Sequence, residues 1–280
     1  MLNALSVDVE DWFQVGAFER VIARDSWERL PHRVERNSER VLALFDGAGV
    51  KGTFFTLGWV AARFPALVRS IAEAGHEVAS HGWDHRRLFT MDADGFRADL
   101  RRAAAAIEDA CGQRPRGYRA PSFSIDPRTS WAHRVLAEEG YTYSSSVAPV
   151  KHDHYGWPET PRFAHRPLAD APLIELPVTT VEIGGRRVAA GGGGFFRLLP
   201  FAFSTWAIDR VNGERRPAVF YFHPWEIDPE QPRVRNAPVK SRLRHYSRLS
   251  AMEGKLRKLL GRHQWGRTDE VVERERARMP

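Results

Sequence analysis

The chain has 280 residues, 42% of them hydrophobic, a formal charge of +7 and one cysteine. That length and apolar content suit one large domain with a full core, and a lone cysteine excludes an intramolecular disulfide framework. No run reaches the roughly 18 apolar residues that cross a bilayer, and the start MLNALSVDVEDW lacks a basic stretch followed by a long apolar one. The expectation is therefore a cytoplasmic protein that could dock peripherally on the inner membrane.

In chain order, ALSVDV reads as a short strand with carboxylates at its end. NSERVLALFDGAG reads as a helix, capped by Asn37 or Ser38 and stopped by Gly47 or Gly49. VKGTFFTLG is strand-like, and WVAARFPALVRSIAEAG is helical, with Pro65 opening a second piece. HEVAS is a brief strand that runs into SHGWDH. DADGFRADLRRAAAAIEDACG is a strong helix, RGYRAPSF a strand with a turn, and DPRTSWAHRVLAEEG a helix with Asp126 as cap. YTYSSSV is a strand. A long polar loop leads to LIELPVTTVEI, read as one strand, and the GGGG at 191–194 reads as a flexible loop, since no GKS follows it as in a phosphate-binding loop. A helix from about Pro200 to Asn212, the strand AVFYFH and a basic closing helix complete the pattern. Cys111, after LRRAAAAIEDA, reads as a small buried residue.

Strands alternating with helices imply a mostly parallel sheet. The expected fold class is α/β, a distorted or incomplete (β/α) barrel of about seven parallel strands. In such folds functional side chains gather at the C-terminal ends of strands, and Asp8, His81, Arg119 and His223 each fall at or just past the end of an expected strand. Four distant segments can thus meet on one rim.

The chemistry suggested by these residues is metal-assisted hydrolysis. His81 and His85 are four apart, so one ion can meet both. Asp8, Glu10 and Asp11 crowd one strand end, and such acids persist where a cation offsets their repulsion. Two imidazoles and one carboxylate leave coordination positions open, the pattern of a catalytic zinc site, and a second carboxylate could take a proton from water. Each group also has an ordinary structural use: acids cap helices and solvate turns, and a lone histidine or arginine is commonly a satisfied core residue or ion pair.

The ordered runs SVDVEDW, SHGWDH, YRAPSFS and FYFHPWE resemble the motifs of the polysaccharide deacetylases, carbohydrate esterase family 4. The likeness covers about residues 3–225, and GGGGFFRLLPF looks like the subgroup associated with exopolysaccharide and exosortase systems. The resemblance implies Asp8 as general base, His81 and His85 as ligands of Zn2+ or another divalent ion such as Co2+, Arg119 as the group orienting the base, and His223 as general acid. It also implies an N-acetylated glycan as substrate, with the backbone N–H near Ser122 helping to hold an oxyanion. Residues 1–230 would form the catalytic domain and 231–280 a basic helical extension packed on it. DVED replaces the family's adjacent aspartates, so Glu10 or Asp11 supplies the carboxylate ligand. The period of two puts Glu10 on the face of Asp8, whereas Asp11 has the usual length. Ser122 stands where the family has tyrosine, which opens that wall.

Other candidates are His152, Asp153 and His154 for substrate contact or a separate metal site, Trp12, Trp83 and Trp225 as stacking faces or core, and Glu175 as an orienting partner of His223. The basic runs RVRNAPVKSRLRHYSRL and KLRKLLGRHQWGR read first as solvated helix faces, then as contacts for an anionic membrane or membrane-bound exopolysaccharide synthesis machinery. Nucleic acid is not expected. Deformylation of an amino sugar, ureide-ring opening and non-catalytic glycan binding are the alternative functions.

Overall fold

The structure, a computed structural model, describes residues 1–151 and 156–279. In chain order its elements are β1 (Leu2–Val9), α1 (Val34–Gly47), β2 (Thr53–Thr56), α2 (Gly58–Arg63), α3 (Pro65–Glu73), β3 (Glu77–Ser80), α4 (Ala93–Cys111), β4 (Gly117–Tyr118), α5 (Ala132–Glu138), β5 (Tyr143–Ser144) and β6 (Ile174–Glu175). The hairpin β7 (Thr180–Ile183) and β8 (Arg186–Ala189) follows, then α6 (Gly193–Leu198), α7 (Phe201–Gly213), β9 (Val219–Phe222), α8 (Val239–Tyr246), α9 (Leu249–Arg262), β10 (Gln264–Gly266) and α10 (Thr268–Arg276).

Seven parallel strands run in the order β9-β1-β2-β3-β4-β5-β6 and curl into an incomplete barrel. β10 adds a short parallel pairing along Leu2–Ala4, on the same edge of β1 that meets β2 further on. β6 does not pair with β9. The gap is bridged by the chain around the hairpin: Val219 N–H donates to Thr179 Oγ1 at 2.6 Å, and Tyr221 N–H to the Gly191 carbonyl at 2.8 Å.

Alternation along β1 sets both layers of the core. Leu5, Val7 and Val9 face the helices and pack with Leu44, Phe45, Ile71, Ile107 and Leu256. Ala4 faces inward, toward Phe55, Ala79 and Ile174. Ser6 and Asp8, on that inner face by parity, are equally buried. The helices form where apolar residues recur at helical spacing and the ends are chemically closed. In α4, Asp92 accepts from Gly95 N–H at 2.8 Å, and Gly112 ends the helix at φ 72°. Pro65 occupies the first turn of α3, where its missing N–H costs nothing.

Several sequence expectations fail locally. α1 starts at Val34, so Asn37 and Ser38 lie inside it, and Asn37 Nδ2 donates to Asp228 at 3.2 Å instead of capping. Asp126 closes a separate turn through Arg128 N–H at 2.9 Å, and α5 begins only at Ala132. LIELPVTTVEI divides at Pro177 into β6 of the main sheet and β7 of the hairpin. The glycine run is no open loop: a Cβ on Gly191 would lie 2.3 Å from the Val219 carbonyl oxygen, and Gly193 and Gly194 start α6. Cys111 is half-buried, its thiol donating to the Ile107 carbonyl. Instead of one closing helix there are three with β10 between them, and Met252, Leu256 and Trp265 join the main core. Among the described residues, no helix is long and apolar enough to cross a membrane.

Candidate active site

The site grows from the inner face of β1. Asp8 is almost fully buried and meets Arg119, whose Nη1 lies 2.7 Å from Asp8 Oδ1. Arg119 is itself wholly buried and well satisfied. Its Nη1 also donates to Ser6 Oγ at 2.8 Å, Nε to the Ser145 carbonyl at 3.1 Å and Nη2 to Ser145 Oγ at 3.0 Å. The guanidinium carbon lies over Phe55, 4.0 Å from the ring centre. One oxygen of Asp8 is therefore fixed, and Oδ2 points toward the cavity side, 3.9 Å from His223 Nε2.

His81 directly follows β3, and its Nδ1 donates to the Arg119 carbonyl at 2.8 Å, which leaves Nε2 free as a ligand atom. The turn through Gly82 (φ 76°) and His85 (φ 58°) brings the second imidazole back beside the first, ring centres 5.4 Å apart. Burial holds the His81 pKa down to about 4 and that of His85 well below its ordinary value, so both are neutral, ligand-competent imidazoles. Glu10, two residues past Asp8, completes a buried set of ligand atoms all within 4.8 Å of one another. Its Oε2 lies 3.0 Å from His85 Nε2 yet makes no hydrogen bond there. Burial drives the Glu10 pKa up to about 7, against the opposing pull of His223 and the Trp225 Nε1–H bond. An orphaned carboxylate oxygen facing an imidazole lone pair fits a divalent cation between them, and a 2-His, 1-carboxylate set suits a zinc-like ion.

Asp11 is not brought to this cluster. Its Oδ1 accepts from Trp12 N–H at 2.8 Å, and Oδ2 accepts from Arg33 N–H at 2.7 Å and Val34 N–H at 3.1 Å. It thus closes the N-terminus of α1 from outside the helix, the task the sequence assigns to Asn37 or Ser38.

His223 follows β9 and reaches back over β1, with Nε2 3.4 Å from Glu10 Oε1. Its partner is Glu226. Oε1 of Glu226 accepts from His223 Nδ1 at 2.8 Å and from its backbone N–H at 3.2 Å, across the short turn Pro224–Ile227. Burial pulls the imidazole down, but Glu10, Glu226 and Asp8 outweigh it and raise the pKa to about 9. Glu226 is clamped in turn by buried Arg197, whose Nε donates to Oε2 at 2.6 Å. Arg197 also donates to the carbonyls of Arg244 and His245, each at 3.1 Å. Gly193 leaves room for this carboxylate, since a Cβ there would sit 2.3 Å from Oε1. Trp225 stacks on His223 and on His245, ring centres 5.0 and 4.1 Å away.

Glu175, expected beside His223, lies elsewhere. It accepts from Ser146 and Val147 N–H at 2.8 and 2.9 Å and pairs with His133 Nε2 at 3.1 Å. Among the tryptophans, Trp12 is buried and bonded to the Pro31 carbonyl, Trp83 lies under the Arg102 guanidinium, and Trp225 lines the cavity. His152, Asp153 and His154 lie outside the described residues. Glu226, Arg197 and Gly193 are the residues that sequence reasoning missed. A proline in the first turn and a glutamate three residues after His223 is a capping pattern, and it could have exposed Glu226. Asp8, Glu10, His81, His85 and His223 all face one cavity of about 420 Å3, also lined by Ser122 in the left-handed region (φ 55°).

Residues 25–144 match the family described as polysaccharide deacetylase. The chain carries a polysaccharide deacetylase domain. Residues 145–273 match a domain of unknown function, DUF3473. The deacetylase match holds His81, His85 and Arg119, whereas Asp8 and Glu10 precede it and His223 lies in the second match. A peptidoglycan deacetylase from Helicobacter pylori is 31% identical over 150 residues, covering 52% of this chain and 50% of that protein. A chitin deacetylase from Pestalotiopsis is 32% identical over 121 residues, covering 42% and 40%. The chain thus spans half or less of the length of these relatives. Among solved structures, a Mycobacterium smegmatis protein described as a polysaccharide deacetylase superposes with TM-score 0.65 at 23% identity, over 98% of this chain and 90% of that one. An allantoinase superposes with TM-score 0.63 at 16% identity, over 99% and 90%. At these identities the likeness shows the fold alone.

Proposed function

We propose that the deacetylase domain hydrolyses the N-acetyl group of an amino sugar within a glycan, with a divalent transition metal, Zn2+ or Co2+, held by Glu10, His81 and His85. The observation that carries this reading is the unbonded, buried Oε2 of Glu10 against His85 Nε2, in the same cavity as Asp8 and His223. The ion, when bound, would supply Lewis acidity at the amide carbonyl.

The protein groups perform the proton transfers. Arg119 fixes Oδ1 of Asp8, which leaves Oδ2 to accept a proton from the attacking water. His223, cationic at neutral pH through its carboxylate neighbours, carries the proton for the leaving nitrogen on Nε2. Glu226 fixes Nδ1–H of His223 and so aims Nε2 into the cavity. The C–O bond forms as the water proton passes to Asp8, and the C–N bond breaks as His223 protonates nitrogen. Acetate and a free amine result.

The curated relatives act on peptidoglycan and chitin, by name. GGGGFFRLLPF motivates an exopolysaccharide as the polymer here, and the basic C-terminal segment motivates a site of action beside anionic membrane or the synthesis machinery. The test is acetate release from N-acetylglucosamine oligomers and from acetylated exopolysaccharide, with and without chelator. Metal-dependent release is expected. Release of formate from N-formyl sugars in its place, or no release from any acetylated glycan, would refute the reading.

A further inference from the structure

Among the described residues, the acids lining the cavity are Asp8, Glu10 and Glu19. Asp8 is neutralised by Arg119, Glu19 forms an ion pair with Arg87, and Glu10 faces the two imidazoles. Among the described residues, the remaining lining guanidiniums are Arg20 and Arg244. Both are exposed, and among the described residues neither guanidinium has an ion pair or a hydrogen bond.

These two arginines come from segments pinned to each other. Phe18, two residues before Arg20, packs on His245 and Tyr246 with ring centres 4.6 and 5.9 Å apart. The Arg244 carbonyl is held by the Nη2 of Arg197, the residue that clamps Glu226. The backbones that present the two guanidiniums are thus fixed relative to each other and to the His223 side of the cavity. Two unpaired forks on one wall match a group with two or more anionic oxygens, and a neutral N-acetylglucosamine chain offers them no counter-charge.

We propose that this wall is an anion subsite: Arg20 and Arg244 select an amino-sugar substrate that carries a carboxylate or a phosphodiester near the scissile amide. The inference rests on the reading of the cavity as a glycan site. It adds the class of glycan, an acidic one. A uronic-acid neighbour and a sugar phosphodiester share the chemistry, and the assay separates them.

Binding is measured on the full chain stripped of metal by chelator, so that no turnover intervenes. The probes are a neutral N-acetylglucosamine tetramer, a tetramer alternating N-acetylglucosamine with glucuronate, and the methyl diester of N-acetylglucosamine 1-phosphate. At low salt one acidic probe is expected to bind about tenfold more tightly than the neutral one, the scale of one charge-assisted hydrogen bond. The advantage should shrink as salt screens it. Whichever acidic probe gains more identifies the source of the anion. In the R20Q/R244Q double variant the ratio of acidic to neutral affinity should fall to about one, with the thermal midpoint reporting that the fold is intact. Equal binding of all probes by the wild type, no binding of any, or a preference that survives in the double variant would each overturn the proposal. Acetate release without anion preference defeats only the subsite. Anion preference without acetate release defeats only the deacetylation reading.

Discussion

Replacing Gly193 with alanine is the sharpest probe of how His223 is held. A Cβ there would lie 2.3 Å from Glu226 Oε1 and 2.8 Å from both Cδ and Oε2. Relief requires the carboxylate or the start of α6 to move by roughly 1 Å, the excess over ordinary carbon–oxygen contact. The carboxylate is gripped on both sides, by Arg197 Nε at 2.6 Å and His223 Nδ1 at 2.8 Å, so a shift of that size takes at least one bond out of range. Overpacking costs about 1–3 kcal/mol and a lost charged hydrogen bond about 1.5–3. With partial relaxation, the expected loss of unfolding free energy is about 2–4 kcal/mol. With His223 as the proposed acid, the turnover rate should fall about 10- to 100-fold, part of what a positioned acid contributes. The control is the next residue. A Cβ on Gly194 meets nothing within 4 Å, so Gly194→Ala should stabilise by about 0.4–1 kcal/mol through the unfolded chain. Urea unfolding of the three proteins, paired with turnover, provides the assay. If Gly193→Ala matched wild type within about 0.5 kcal/mol and kept full turnover, the packing of α6 on Glu226 would be wrong.

Arg119→Met strands the buried Asp8 without its cation, and urea unfolding should show a loss of about 3–5 kcal/mol. Glu10→Gln should reduce the zinc retained per chain after gel filtration, measured by elemental analysis. Asp11→Asn should keep the metal and lose about 1 kcal/mol of stability with the closure of α1. The reverse pattern would make Asp11 the ligand. Glu77 sits between Thr53, Tyr143 and the N–H of Asp269, and burial with the Asp269 charge raises its pKa from 4.5 to about 7. The folded state therefore binds this proton more tightly than the unfolded chain. Its contribution is complete below the unfolded value of 4.5 and is lost as pH rises through about 7. Up to about 3 kcal/mol should disappear between pH 5 and 8 in wild type, with a flatter profile in Glu77→Gln.

The alternating strands and helices of residues 1–144 were legible because mostly short apolar runs alternate with stretches in which apolar residues recur at helical spacing. The convergence of Asp8, His81, Arg119 and His223 was legible because parallel strands deliver their C-terminal ends to one rim, whereas the choice between Glu10 and Asp11 was not. What escaped is non-local. Asp11 closes a helix that starts 23 residues later, and nothing in its neighbourhood announces that partner. Asn37 and Ser38 look like caps, yet their helix begins earlier because that outside carboxylate serves its first N–H groups. Glu175 lies in an apolar run and binds Ser146, Val147 and His133, groups assembled only by the curl of the sheet. Gly193 resembled a loop residue because sequence spacing cannot reveal a carboxylate arriving from residue 226. β10 is three residues long, too brief for any periodic signal.

The pairing of β10 beside β1 has a consequence for synthesis on the ribosome. The strand that carries Asp8 is made well before two of its partners, for it receives β9 only after residue 222 and β10 only after residue 266 have been translated. Until then one of its edges lies bare, and the nascent polypeptide must keep it from joining a neighbouring chain. Maturation of this protein should therefore be late and slow, governed by long-range contacts and not by the helices that form early.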